Sequence, residues 1–302
     1  MHRLILASAL SLITLCDHPK LSGPPTFDGG RAYDLLVQQC DLGPRNPGSA
    51  GHRAAIDFLS SELKKWADSV ETDAFTYRDA KVDTVVALTN IKGVFNARAT
   101  ERILLCAHWD TRPYADQETD PKKRTQPIPG ANDGASGVAV LLEVARVLRQ
   151  IPPVKGVDIV LFDGEDYGRG LNGDVSDYFL GARRFAAVSK GKYAPRMGIL
   201  LDMIGDKDLT IYHEGNSNRT YPDHVARVWQ AAATLGYRQF IHQDKYTISD
   251  DHLPLIEAGI PCIDLIDFDY PPWHTTGDTP DKCSAQSLKA VGDVVLKVVY
   301  EL

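Results

Sequence analysis

Short apolar runs alternate with helix-like segments along most of this chain. Uninterrupted apolar runs of this length are typical of strands that are buried on both faces. The alternation predicts an α/β fold, in which a mostly parallel mixed sheet is covered by helices on both faces as an α/β/α sandwich. The runs that predict buried strands are Ile103–Cys106, Val157–Phe162, Met197–Met203 and Pro261–Ile266.

The helix-like segments carry apolar residues three and four positions apart. Ser49 is a suitable cap for one such helix, whose apolar face runs from Ile56 to Trp66. Before the first buried run, Val70–Tyr77 and Val82–Ile91 predict an antiparallel pair of strands. No repeat or linker divides the chain, so we expect a single domain over residues 21–302. The other predicted helices are Ala32–Cys40, Val138–Leu148, Tyr178–Ala187, Tyr221–Leu235, His252–Ala258 and Leu288–Leu302.

The first twenty residues have the composition of a leader. One Arg precedes an apolar run from Leu4 to Leu15, which is too short to span a membrane as a helix. The pattern predicts a signal peptide over residues 1–20 and an exported protein, periplasmic or secreted. Cys16 would allow a lipid anchor instead, although Leu15 stands where lipoprotein leaders carry a small residue.

Composition limits the partners. The chain has 302 residues, of which 43% are hydrophobic, and this is enough for a large buried core. Its formal net charge of -7 argues against a nucleic-acid partner. The 5 cysteines have neither zinc-knuckle nor CxxC spacing. An oxidising compartment would permit a disulfide, but the spacing does not predict which cysteines would pair. We expect a monomer without a membrane-spanning segment.

Metal-binding side chains follow the predicted buried strands. In an open α/β sheet, ligands bind beyond the carboxyl ends of the strands. Imidazole and carboxylate groups without a thiolate suit zinc best, with manganese or cobalt as alternatives. The sequence therefore predicts a metal site at this edge of the sheet. The six side chains are His108, Asp133, Glu165, Asp166, Asp202 and His274.

Several of these motifs have a plain structural alternative. In the HWD motif, His108 and Asp110 point to the same side of an extended chain, so Asp110 is predicted to hydrogen-bond the imidazole. The NDG turn would equally suit an Asp133 that caps the following helix. Asp163–Asp177 and Tyr114–Pro129 have the composition of solvated loops.

Other positions are more specific. Glu165 and Asp166 are adjacent acids whose side chains diverge, so that one can bind a metal while the other faces a substrate. Asp202 ends an apolar strand, where an acid is costly to bury unless it is paired or bound to a metal. His274 follows Trp273 in the rigid aromatic loop PPWHTTGD. The remaining histidines lack such surroundings and are predicted to be structural or at the surface.

Taken in order, these segments resemble the M28 family of zinc aminopeptidases and its relatives, the glutaminyl cyclases. The match runs from about Gly43 to Leu302. Within the family, the segment SDDHLPLIEAGIPCIDLI followed by PPWHTTGDTPD is most similar to glutaminyl cyclases, in particular to the bacterial, secreted, animal-like ones. The resemblance implies a zinc-exopeptidase-like fold and the N-termini of peptides or proteins as substrates.

The resemblance also implies roles for individual residues. Glu165 corresponds to the acid/base that transfers a proton, Asp250 to a second carboxylate near it, and Trp273 to a wall of the substrate pocket. The family usually has Glu at the position of Asp166, so the metal is expected closer to the backbone here. The implied zinc ligands are Asp133, Asp166 and His274, and the implied ligands of a second metal, if one binds, are His108 and Asp202.

Two reactions fit this set of residues. A cyclase with one zinc would convert an N-terminal Gln to pyroglutamate and release ammonia, because the α-amine attacks the side-chain amide while Glu165 transfers the proton. A di-zinc aminopeptidase would add His108 and Asp202 around a shared Asp133, and Glu165 would activate a water. A binding module without turnover is a third alternative, which the presence of Glu165 disfavours. We favour the cyclase and leave the aminopeptidase open.

Overall fold

The computed structural model describes residues 26–169 and 174–302. The predicted leader over residues 1–20, including Cys16, lies outside the described residues, so export and lipidation stay predictions. Among the helices of the described ranges, none combines the length and the apolar content needed to cross a membrane.

A six-stranded mixed sheet forms the centre of the fold. Its strands follow the order β1-β2-β4-β3-β5-β8, and a separate two-stranded sheet pairs β6 with β7. The β1-β2 and β2-β4 pairs are antiparallel, whereas the β3-β4, β3-β5 and β5-β8 pairs are parallel. The strands are β1 (Ser69–Asp79), β2 (Thr84–Phe95), β3 (Arg102–His108), β4 (Gly156–Phe162), β5 (Met197–Asp202), β6 (Ile211–Glu214), β7 (Phe240–Tyr246) and β8 (Ile263–Ile266).

Helices cover both faces of this sheet. Ser49 caps the second helix, since its side chain accepts a hydrogen bond from the amide of His52, as the sequence predicts. The helices are α1 (Gly29–Asp41), α2 (Ala50–Lys64), α3 (Ala135–Gln150), α4 (Leu180–Ser189), α5 (Gly215–Thr220), α6 (Pro222–Leu235), α7 (His252–Glu257) and α8 (Ala285–Glu301).

Neighbouring residues of the central strands enter different cores. Leu105 of β3 packs in the larger core with α1, α2, α3, α6 and α8. Leu104, its neighbour, packs in the smaller core with α4 and α7. Because successive side chains of a strand point to opposite faces, both faces of the sheet are buried, and this explains the uninterrupted apolar runs. The predicted fold class, a mostly parallel mixed sheet between two helical layers, is confirmed.

The small second sheet was missed by the sequence analysis. β7 has the sequence FIHQDKY and is mostly exposed, so it lacks the apolar run that marks a buried strand. β6 has only 4 residues, and the short α5 follows it directly. The tertiary pairing with β6, rather than local pattern, makes β7 a strand.

Candidate active site

The carboxyl ends of the central strands meet at one edge of the sheet. His108 is the last residue of β3 and lies beside the end of β4, while Asp202 ends β5 beside the end of β8. Glu165 follows β4 by a short turn, and Asp133 directly precedes the start of α3. His274 comes from the loop after β8, so four connections deliver these side chains to the same place, and the one between β3 and α3 carries both His108 and Asp133.

One group of three side chains has the spacing of metal ligands. His274 Nε2 lies 3.7 Å from Asp133 Oδ2 and 3.5 Å from Asp166 Oδ1. A zinc ion about 2.0–2.1 Å from its ligands separates neighbouring ligand atoms by roughly 3.3 Å in a tetrahedron. The three side chains are buried, and Asp166 Oδ2 has no hydrogen-bond partner among the described residues. These residues fit a zinc ion by donor type, spacing and burial.

A second group shares Asp133, and the distances between its ligand atoms are shorter. His108 Nε2 lies 3.2 Å from Asp133 Oδ1 and 3.1 Å from Asp202 Oδ1. Both separations are hydrogen-bond distances, and the ligand-type atoms of the three side chains are close enough for a cation as well. In this group the imidazole of His108 already bridges the two carboxylates.

The pKa values of Glu165, Asp250 and His108 are shifted by their surroundings. Burial raises the pKa of Glu165 well above its ordinary value, and the Asp166 and Asp250 carboxylates add to this although His108 opposes it. Burial alone would lower the pKa of His108, but the carboxylates around it raise this pKa well above its usual range. Burial, with Asp202 nearby, raises the pKa of Asp250 to about 7. A buried acid with a raised pKa suits proton transfer near neutral pH.

The predicted hydrogen bond between Asp110 and His108 is not formed. Asp110 Oδ1 lies 3.6 Å from His108 Nδ1, which is too far. The carboxylate instead accepts from the backbone amides of Glu165 and Asp166, at 3.1 and 3.3 Å. Asp110 therefore stabilises the turn that contains Glu165 and Asp166, because each of its two oxygens accepts a hydrogen bond from that turn.

A pocket of about 340 Å³ opens onto this cluster. Its floor is acidic, with Asp133, Glu165, Asp166, Asp202 and Asp250 among the lining residues. Such a floor suits the amino group at the start of a peptide, and apolar walls suit an uncharged side chain. The walls are formed mainly by Val175, Tyr178, Phe179, Met203, Tyr246, Ile248, Ile266, Phe268 and Trp273.

Trp273 forms one wall and also contacts the candidate ligand His274. The two rings stack with their centroids 3.8 Å apart, and the centroid of the Phe268 ring lies 4.9 Å from that of Trp273. The indole therefore restrains the imidazole while it faces the pocket. The family resemblance in the sequence implies that Trp273 lines a substrate pocket, and in the structure Trp273 lines this pocket.

Strained backbone positions surround the pocket. Gly134 has φ +112°, and a Cβ atom there would lie 3.0 Å from His108 Cε1 and even closer to a backbone oxygen. Phe179, Met203 and His274 have positive φ values of 57°, 47° and 55°, although none of them is glycine. Such conformations cost about 1–3 kcal/mol each and occur preferentially at functional sites.

Three supporting residues were missed by the sequence analysis. Asp278 accepts from the amides of Asn132 and Asp133 at 2.8 and 3.1 Å, so it anchors the NDG turn. Arg112 and Asp116 lie behind the first group of ligands, in and beside a segment that was predicted to be a solvated loop. The GD pair in PPWHTTGD was the only local hint of the role of Asp278.

A third buried cluster places His252 among carboxylates. Asp250, His252 and Asp264 have ligand-type atoms within 4.8 Å of one another. His252, however, lies between Glu214 Oε2 at 3.2 Å and Asp264 Oδ2 at 3.8 Å. This agrees with the prediction that His252 is structural.

A mostly parallel sheet that carries carboxylate and histidine ligands around a shared aspartate is the architecture of zinc-exopeptidase-like enzymes. The model of Peptidase family M28 matches residues 90–299, and the chain belongs to this family. The resemblance inferred from the ordered motifs is confirmed.

Relatives of known structure and activity class agree with this assignment. The chain is 38% identical to the glutaminyl cyclase of Bacteroides thetaiotaomicron, crystallised with N-acetylhistamine, with a TM-score of 0.89 over 93% of this chain and 100% of that one. The glutaminyl cyclase of Tannerella forsythia is 37% identical, with a TM-score of 0.87 over 92% of this chain and 100% of that one. Aminopeptidase YwaD of Bacillus subtilis is 27% identical over 90% of this chain, which spans 57% of that protein.

Proposed function

We propose that the protein is a zinc-dependent glutaminyl-peptide cyclotransferase, which converts an N-terminal Gln to pyroglutamate and releases ammonia. The observation that carries this proposal is the pocket, in which Trp273 and Asp250 lie beside Glu165 and the Asp133–Asp166–His274 group. The distances between ligand atoms in the His274 group and in the His108 group both fit a metal, so they do not separate one ion from two. A cyclase needs one metal position beside an aromatic pocket that excludes water, whereas an M28 aminopeptidase would use two metals.

In this proposal Asp133, Asp166 and His274 would hold a zinc ion, whose positive charge would serve to polarise the side-chain carbonyl of the substrate. Glu165 accepts a proton from the α-amine as the amine attacks the amide carbon. It then returns a proton to the departing ammonia, so no proton is gained or lost overall. The raised pKa of Glu165, caused first by burial, suits both halves of this transfer.

The pocket supports an intramolecular reaction. Trp273 and the apolar residues near it would hold the Gln side chain against the acidic floor and exclude water, which would otherwise compete with the amine. Asp250, with its pKa raised to about 7 by burial, is proposed to be the second carboxylate that holds the proton network around Glu165. Asp250 Oδ2 has no hydrogen-bond partner among the described residues, and so remains available for such a contact.

Two similar solved structures are glutaminyl cyclases, and this chain matches the whole length of each of them, which supports the proposal. Aminopeptidase YwaD supports the alternative that we keep, a di-zinc aminopeptidase. In that alternative, His108 and Asp202 would leave their mutual hydrogen bond to hold the second metal.

The decisive experiment uses one Gln-peptide and one Leu-peptide with the purified protein. A cyclase releases ammonia from the Gln-peptide and lowers the mass of that peptide by the mass of ammonia. It leaves the peptide bonds of the Gln-peptide and of the Leu-peptide intact. Release of free Leu or Gln would instead establish the aminopeptidase. Zinc analysis of the same sample should give about one ion per chain for the cyclase and about two for the aminopeptidase.

Zinc removal should destabilise the protein more at neutral than at acidic pH. Burial raises the pKa of Asp166 to about 6 and that of Asp250 to about 7 in the metal-free protein. A carboxyl group whose folded pKa is raised contributes stability at low pH and loses it as the pH rises, here between about 4 and 7. Asp133, whose pKa His108 and His274 lower despite burial, opposes this trend but is one group among several. Bound zinc favours the ionised carboxylates and removes the penalty.

Thermal unfolding with and without a chelator checks this expectation. The loss of Tm on chelation should be clearly larger at pH 7.5 than at pH 5.5. An equal loss at both pH values would contradict the role of these acids.

We also propose that the protein is exported to the periplasm or secreted, and that it acts as a monomer. The support for export is the leader-like composition of residues 1–20. As an alternative to release from the membrane, a lipid on Cys16 would anchor the exported protein. The single catalytic domain is proposed over residues 21–302, within which the family match covers residues 90–299.

A further inference from the structure

Arg112 is a buried guanidinium whose hydrogen-bonding capacity is fully used next to the candidate zinc ligands. Only 2% of its surface is exposed. Nε and Nη2 donate to the two oxygens of Asp116 at 2.9 and 2.8 Å, and Nη2 also donates to Tyr178 Oη at 2.9 Å. Nη1 donates to Asp166 Oδ1 at 2.7 Å and to the Asp166 carbonyl oxygen at 3.4 Å. The planar fork thus joins two carboxylates that Lys would be unable to hold together.

The second of these carboxylates lies against the other end of the candidate metal site. Asp116 Oδ1 is 3.1 Å from His274 Nδ1, on the side of the imidazole that faces away from Asp133 and Asp166. The two atoms are not aligned for a hydrogen bond, but the carboxylate charge of Asp116 beside Nδ1 favours a proton on that nitrogen, which leaves Nε2 free of hydrogen and able to bind a metal. Arg112 therefore reaches one candidate ligand directly and a second one through Asp116.

The same segment fastens the loop that carries His274. The Gln117 amide donates to the His274 carbonyl oxygen at 3.3 Å. Glu118 Oε2 accepts from the Thr276 hydroxyl at 2.7 Å and from the Thr276 amide at 3.2 Å. His274 itself has a φ of 55°, so these contacts hold a strained residue in place. Residues 112–118 form a support behind the metal site, which we call the backing segment.

We propose that Arg112 is a positioning residue for zinc, which orients Asp166 directly and His274 through Asp116. The chain has a short Asp at position 166, and the guanidinium donates to Oδ1 of this carboxylate, while Oδ2 has no hydrogen-bond partner among the described residues. The inference rests on the proposed zinc site. It adds two residues, Arg112 and Asp116, that are not metal ligands themselves and that set how tightly and in what geometry the metal is bound.

The test measures zinc affinity by competition with a chromophoric chelator. Arg112→Lys keeps the charge and removes the fork, while Asp116→Asn removes the acceptor charge that faces His274. Each variant is expected to bind zinc about 10–100-fold more weakly than the wild type, as is usual when outer contacts of metal ligands are lost. Because both act through one chain of contacts, the double variant should lose less than the product of the two single effects.

The visible spectrum of the Co²⁺-loaded protein gives a second readout that a merely structural role would not change. Reorientation of Asp166 or His274 should shift the ligand-field bands in both variants. Arg102→Lys is the matched control, because the half-buried Arg102 forms a similar fork with the buried Asp158 at the other end of β3. It should lower stability while zinc affinity and the Co²⁺ spectrum stay at wild-type values.

Folded Arg112→Lys and Asp116→Asn variants with wild-type zinc affinity and an unchanged spectrum would overturn the proposal, as would an equal loss in Arg102→Lys. If Arg112→Lys does not fold, Asp116→Asn decides alone, since the Asp116 side chain is 39% exposed and tolerates change. A wild type that binds zinc but hydrolyses peptides would refute the cyclase and leave this measurement intact.

Discussion

Replacement of Glu165 by Gln is expected to abolish turnover while zinc stays bound. Gln has nearly the same shape, but it is unable to accept the proton of an attacking amine or to return one to ammonia. Loss of a general acid/base typically costs about 10²–10⁴-fold in rate, and here one group serves both proton transfers. We therefore expect kcat for the Gln-peptide to decrease by a factor near the upper end of this range, with a smaller change in KM.

Zinc content should not change in this variant, because Glu165 lies outside the Asp133–Asp166–His274 group. The measurements are steady-state kinetics by ammonia release and metal analysis of the same preparation. Glu143→Gln is a suitable control, since it also removes a fully buried carboxylate, but one paired with Arg146 away from the pocket. That variant should lose stability and keep kcat. Wild-type turnover in Glu165→Gln would remove Glu165 from the mechanism, and loss of zinc would make it a ligand.

The sequence predicted the parts of the site that follow from local pattern. Glu165 and Asp166 come after an apolar strand and a glycine, and Asp202 ends another such strand. Because the carboxyl ends of parallel strands share one edge, placing the strands correctly was enough to bring these acids together. The sheet class followed from the same apolar runs.

The supporting contacts were beyond the reach of local pattern. Arg112 and Asp116 stand in or beside a polar segment whose composition indicates solvent. They bond each other, but their other partners lie far away in the chain. Asp110 was expected to hold His108, but its oxygens bond the amides of the turn after β4. β7 was missed for a related reason, since an exposed polar strand is defined by its pairing and not by its residues.

The number of metal positions decides between the two reactions, and a matched pair of histidine variants measures it. His274→Asn and His108→Asn each remove one imidazole near the shared Asp133. Asn is chosen because His274 has a φ of 55°, a conformation that Asn adopts more readily than most residues. Any difference between the variants then reflects the ligand positions and not the backbone.

In the one-zinc cyclase, His274→Asn should lose most of its zinc and its activity together. A lost ligand weakens binding beyond the roughly 100-fold limit of outer contacts. His108→Asn should keep about one zinc per chain, because His108 bridges Asp133 and Asp202 without belonging to the open group. In a di-zinc aminopeptidase, each variant would instead fall from about two ions to about one. Equal zinc losses in the two variants would refute the one-metal site, because only a second bound ion makes His108 as necessary as His274.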